Sequence, residues 1–275
     1  MIRGPFRGWA AISALLLAAT ACGGGNKAQP GRPNPEARAS ASPAAPVLCP
    51  LTGAPAASGA GVDRPALAVK LDNAPEARPQ AGIESADIVY EELAEGGITR
   101  FMAIFQCRDA ARVGPVRSAR LVDPDILVQY KPVLFSYSGA NAPVLAKVKS
   151  TQGIVNLEHG SHGSAYQRVS GRAAPHNLFT STDKLRAFAT DVKGPPRAGL
   201  VFEAPGSSPS AAPSPAASAS GAPGAAGGTG PGASVTFSFA GSPDHRYTYD
   251  AASGSYLRFQ GLSTPFKSES GAQVK

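Results

Sequence analysis

Two β-rich runs flank Gly96-Gly97 in the stretch Asp87 to Gln106, DIVYEELAEGGITRFMAIFQ, and the rest of the chain is arranged around it. A Gly-Gly pair between such runs predicts a hairpin, because a type I′ turn needs positive φ at both central residues. A two-residue loop sets Glu95 opposite Ile98, Leu93 opposite Arg100, Glu91 opposite Met102 and Val89 opposite Ile104. One face then carries Val89, Leu93, Ile98, Met102 and Ile104, with Glu91, Glu95 and Arg100 among them. The other carries Ile88, Tyr90, Phe101, Ala103 and Phe105, with Glu92 and Thr99. Both faces are mostly apolar, which predicts a central hairpin covered on both sides.

The remaining pattern supplies the partners of this hairpin. Arg64 to Asn73 reads as a buried strand ending in an Asx-type turn. Pro75 and Pro79 break the next segment into a loop with one short helical turn, and GPVRSAR, ending at Arg120, is another loop. Asp123-Pro124 predicts a helix start, with Ile126, Leu127 and Tyr130 as its apolar stripe and Pro132 as its end. Val133 to Ser138 and Gly153 to Leu157 read as strands around a helix from Asn141 to Lys149, with Asn141 as N-cap. Thr182 or Asp183 caps a third helix running to about Ala189, and Ala198 to Glu203 is a further strand. Strands and helices alternate without a clean βαβ repeat. The expected class is therefore α/β (α+β), a layered mixed sheet with packed helices.

Composition divides the chain. Residues 1 to 22 have the parts of an export signal, with Arg3 and Arg7 before an apolar run too short to span a bilayer. Ala19-Thr20-Ala21 before Cys22 resembles a bacterial lipobox, with Ala19 where leucine is usual. The two readings are acylation of Cys22 and an ordinary secretory signal, and both place the mature chain outside the cytoplasm. Residues 23–47 are rich in Gly, Pro, Ala and Ser, a flexible tether. Residues 48–203 form the predicted α/β domain. Residues 204–233 are a low-complexity linker, and 234–275 alternate apolar and polar residues as the start of a β-rich unit. No later run is long and apolar enough to span a membrane.

The net charge of +7 does not mark a nucleic-acid binder. Residues 1–48 hold five Lys or Arg against one Glu, whereas residues 49–203 hold 17 against 15, so the body is near neutral. With Cys22 assigned to the anchor, Cys49 and Cys107 remain. In an exported domain they read most simply as a disulfide, with free thiols or metal ligation as the alternatives. No Cys/His spacing supports a metal, and no cofactor motif is present.

Three groups of residues carry candidate chemistry. Glu91, Glu95 and Arg100 share the predicted hairpin face, where they form either an acid–base carboxylate pair or an ion pair that holds register. Arg117 and Arg120 flank Ser118 in GPVRSAR. Two guanidiniums with a hydroxyl suit a ligand carboxylate or phosphate, or they pair with the hairpin acids. His176-Asn177 follows Arg168 and Arg172, an arrangement for a ligand site, a general base or a loop crosslink. His159 and His162 lack a carboxylate at metal-motif spacing.

The run RPALAVKLDNAPEARPQAGIESADIVYEELAEGGITRFMAIF, with GPVRSAR, RAAPHN and the entry Pro50-Leu51-Thr52-Gly53, resembles the YerB-like family of bacterial lipoproteins, a domain of unknown function. The resemblance covers roughly Cys49 to Glu203, and the tail resembles the family's smaller C-terminal domain. It implies an α/β layered fold and an envelope-anchored protein, and it implies no reaction. The leading expectation is a lipoprotein binding an anionic cell-wall glycan or peptide through Arg117, Arg120, His176 and Asn177, with Glu91 and Glu95 setting the polarity. A wall-acting hydrolase or transferase using Glu91 or Glu95 with His176 is the second expectation. A scaffold for envelope proteins is the third.

Overall fold

The structure, a computed structural model, describes residues 46–58, 61–197, 234–239, 241, 243–250, 252 and 255–275. The export signal, Cys22, the tether up to residue 45, the strand expected at Ala198 to Glu203 and the low-complexity linker lie outside the described residues.

A mixed five-stranded sheet organises the body. Its strands are β1 (Ala66–Asp72), β2 (Ile88–Leu93), β3 (Thr99–Phe105), β4 (Val133–Tyr137) and β5 (Ile154–Glu158). The order is β2-β3-β1-β4-β5, so β1 runs through the middle and the hairpin forms one side. β1 is antiparallel to β3 and parallel to β4, and β4 is parallel to β5. All seven residues of β1 and of β3 are buried, as expected for strands covered on both faces.

Helices α1 (Asp123–Leu127) and α2 (Ala142–Ser150) cover one face. Leu127, Val144 and Val148 meet Ala66, Ala68, Met102, Ile104 and Phe135 there. Asn141 caps α2, its Oδ1 accepting from the Val144 amide at 3.1 Å. On the other face Leu67, Val69, Leu71, Phe101 and Phe105 pack against Val113, Val116 and Leu178, and against Leu185 of α3 (Thr182–Arg186). The α3 cap is Ser181, one residue before the expected position, because the Thr182 hydroxyl is turned to the Ala110 amide.

Beyond the linker, β8 (Ser234–Phe237), β9 (His245–Asp250), β10 (Ser255–Gln260) and β11 (Thr264–Pro265) form a second sheet, order β11-β10-β9-β8. A short pair, β6 (Gln167–Arg168) and β7 (Leu178–Phe179), precedes α3. Phe266 and Val274 enter the first sheet's core, so this tail shares the main hydrophobic interior.

The hairpin register differs by one residue from the two-residue-loop expectation. Leu93 pairs with Thr99, Glu92 with Arg100 and Glu91 with Phe101. Gly96 and Gly97 do take positive φ, at 69° and 72°. The loop is longer than two residues, however: the Ala94 amide donates to the Ile98 carbonyl at 2.7 Å, enclosing a tight turn over Glu95–Gly97. A slip of one residue exchanges faces. Glu91 therefore shares its face with Phe101 and Thr99, while Arg100 shares the opposite one with Glu92 and Lys70.

Cys49 and Cys107 are joined, with Cα atoms 5.9 Å apart, closing a loop of sequence separation 58. Closure of a loop that long lowers the unfolded chain's entropy by about 4 kcal/mol at 25 °C in the chain-entropy treatment, and measured effects are typically about 2–4 kcal/mol. Replacing both cysteines by serine is expected to lower the urea unfolding free energy by that amount. An unchanged midpoint would contradict the bond's role.

Candidate functional site

The predicted basic loop is laid across the carboxyl ends of β1 and β4. Val116 bridges to Leu71, the Arg117 amide donates to the Lys70 carbonyl at 2.8 Å, and the Ser138 amide donates to the Arg117 carbonyl at 3.0 Å. The Ala119 amide is bonded to the Gly139 carbonyl at 3.0 Å. Parallel strands present their carboxyl ends as the usual place for ligands in α/β sheets. Here that edge carries the arginines.

Asp72, the last residue of β1, organises them. Its Oδ2 accepts from Arg117 Nε at 2.9 Å and from His176 Nδ1 at 2.8 Å, and its Oδ1 accepts from the Ala74 amide at 3.1 Å. The Asp72 side chain is 3% exposed. These bonds orient both side chains from behind. The terminal Arg117 nitrogens and His176 Nε2 have no bonded partner among the described residues, and both side chains are partly exposed.

Arg100 stands opposite Asp72 in β3 and donates to the Ser118 carbonyl at 2.9 Å. Burial and the neighbouring Arg120 and Arg117 pull its guanidinium down to about 10, with Asp72 and Glu95 opposing. Such mutual repulsion means that three guanidiniums crowd one edge. Glu95, at the hairpin tip, pairs with Arg120 and lies 4.0 Å from Arg100. Three arginines face Asp72 and Glu95 here, and Glu92 and Asp123, held by Lys70, lie beside them.

Glu91 joins a different cluster, as its changed face requires. Its carboxylate receives Arg258 at both oxygens, Nη2 at 2.7 Å and Nε at 3.1 Å, with Thr99 Oγ1 at 2.7 Å and His245 Nε2 at 3.5 Å. Burial lowers the His245 imidazole's pKa, Glu91 opposes, and Arg258 and Arg78 push it further down. This cluster ties β2 to the second sheet. The acid–base pairing of Glu91 with His176 is not made: His176 is held by Asp72. Asn177 also lies apart, its Oδ1 accepting from Arg168 at 2.7 Å across the β6–β7 pair.

His159 and His162 meet the edges of aromatic rings, Tyr166 at 5.2 Å and Phe188 at 5.1 Å. Among the described residues no three His, Cys, Asp or Glu side chains gather as metal ligands. Five surface cavities of 190–460 Å³ among the described residues are lined by residues other than Arg100, Arg117, Arg120 and His176.

Two groups escaped the sequence reading. Asp72 shows in the sequence only as a turn former after a strand. Lys70, alone in an apolar run, is fully buried and donates to Glu92 Oε2 and Asp123 Oδ1, both at 2.7 Å. A lone lysine inside a doubly covered strand is itself a signal for a buried acid partner.

Residues 51–195 match the family model described as the N-terminal domain of a protein of unknown function, DUF3048. A relative in Bacillus subtilis (strain 168), YerB, a lipoprotein by name, is 38% identical over 142 residues, covering 51% of this chain and 42% of the relative. The match thus spans less than half of that relative's length. The crystal structure of the YerB protein from Bacillus subtilis aligns with a TM-score of 0.65 at 27% identity, covering 83% of this chain and 71% of that one.

Proposed function

The chain belongs to the DUF3048 family of proteins of unknown function, and from that premise we propose that it is a cell-envelope lipoprotein that binds an anionic wall glycan or peptide through its arginine edge. Residues 1–22 direct export, acylated Cys22 holds the protein at the outer face of the cytoplasmic membrane, and residues 23–47 are the tether. The relative's name as a lipoprotein supports this reading of Cys22. The tether lets residues 48–203, with the unit from 234 beyond the 204–233 linker, reach the wall.

The observation that carries the binding proposal is the Asp72–Arg117–His176 contact. A buried carboxylate fixes the guanidinium through Nε and the imidazole through Nδ1, leaving the outer guanidinium nitrogens as donors and His176 Nε2 open to a ligand. Arg100, Arg120 and the Ser118 hydroxyl complete the binding group, and Glu95 sets its polarity. Glu91 and Asn177 take no part.

Retention on isolated cell-wall fractions tests the proposal. Arg117→Ala is expected to weaken retention about tenfold or more, as loss of a charge-assisted bond implies. Added salt should weaken the wild-type protein as well. Equal retention of variant and wild type would overturn the proposal.

A further inference from the structure

Glu95 is an exposed carboxylate in an unusual setting. Its side chain is 75% exposed, yet one oxygen, Oε2, faces both Arg120 Nη2 and Arg100 Nη2. Burial by itself would raise its pKa, but its own backbone amide, Arg120 and Arg100 together outweigh that and hold it below the usual carboxylate range. An ion pair exposed to this degree is weak, so another carboxylate can displace it.

The Arg120 guanidinium is only partly used. Its Nη1 donates to the Ala119 carbonyl at 2.9 Å and its Nη2 meets Glu95, while its Nε is buried with no acceptor among the described residues. Glu95 meets this guanidinium through one oxygen, whereas a carboxylate that offers it two forms the paired fork that arginine favours.

Resting on the reading of the arginine edge as an anion site, we propose that Glu95 is a built-in stand-in for the ligand, occupying the Arg100–Arg120 pair until the carboxylate of a wall peptide replaces it. The ligand class is then a peptide carboxylate. The hairpin tip sets the apparent affinity by competition, since an occupied site binds as if only its free fraction were present.

Calorimetric titration of the full chain tests this with two probes, N-acetyl-D-alanine for the carboxylate and glycerol 1-phosphate for the phosphate. Glu95→Gln, with an unchanged melting temperature, is expected to bind N-acetyl-D-alanine roughly threefold to tenfold more tightly than wild type, because it removes both the competitor and a like charge. Arg120→Ala in that background should abolish the gain. Unchanged affinity in Glu95→Gln, alongside weakening in Arg117→Ala, would overturn the stand-in role and leave the anion site in place. A gain for glycerol 1-phosphate alone would overturn the assignment to carboxylates. Failure of wild type and Glu95→Gln to bind either probe would overturn the inference and the reading beneath it.

Discussion

Replacing Arg258 with alanine is expected to destabilise the protein by about 3–5 kcal/mol, the usual cost of leaving a buried charge without its partner. The Arg258 side chain is 2% exposed and lies between two rings, its guanidinium carbon 5.1 Å from the centre of Phe101 and 4.1 Å from that of Phe266. Its Nε and Nη2 fork grips Glu91, whose own side chain is 8% exposed. Alanine would remove the fork and the ring contacts together. Thr99, Asn73 and Tyr247 would remain as donors to the stranded carboxylate, at 2.7, 3.4 and 3.4 Å. Urea denaturation measures the loss, and a change below about 1 kcal/mol would contradict the argument. The double variant Arg258→Met with Glu91→Gln should recover part of it, because an uncharged pair no longer strands an ion. Hydrogen exchange should show β9 and β10 losing protection first, since Arg258 joins them to the main sheet.

The second large effect is expected at Lys70. Lys70→Met fits the same space but leaves Glu92 and Asp123 facing each other without a cation, again at about 3–5 kcal/mol. The same site makes stability depend on pH. Burial pushes the Glu92 carboxyl up to about 7 from its ordinary 4.5, with Asp123 adding to the rise and Lys70 opposing it. A folded-state value above the unfolded one means that the native protein holds more protons between the two. That contribution is complete below pH 4.5 and is lost as the pH rises through about 7. Glu92→Gln should flatten this part of the stability–pH curve. A wild-type curve that rises across the same window, with Glu92→Gln parallel to it, would contradict the assignment.

Much of the architecture was legible because it rests on local signals. Val133 to Ser138 was readable as a strand and spans Val133–Tyr137, and Asn141 caps its helix as its short side chain dictates. The mixed α+β class followed from strands and helices that alternate without a regular crossover. The disulfide was the simplest reading of the two cysteines in residues 48–203.

What could not be read was set at long range. The Gly-Gly signal fixes a turn but not its length. The turn around Glu95 shifted the register by one residue and moved Glu91 to the far face. Glu91 then meets Arg258, 167 positions away, across a linker that carries no pattern. His176 and Asp72 are 104 positions apart, so the residue that organises the arginine edge looked like a turn former. Of the expected site residues, Arg100, Arg117, Ser118, Arg120, Glu95 and His176 are brought to one edge, because the GPVRSAR loop pairs with the ends of β1 and β4.

A crystal structure of the protein saturated with N-acetyl-D-alanine tests the arginine edge most directly. The probe's carboxylate should lie on the Arg120 guanidinium in place of Glu95, within reach of Arg100, with the Glu95 side chain turned into solvent and the Asp72–Arg117–His176 bonds unchanged. A probe bound elsewhere, or Glu95 still seated on Arg120 at saturation, would contradict it.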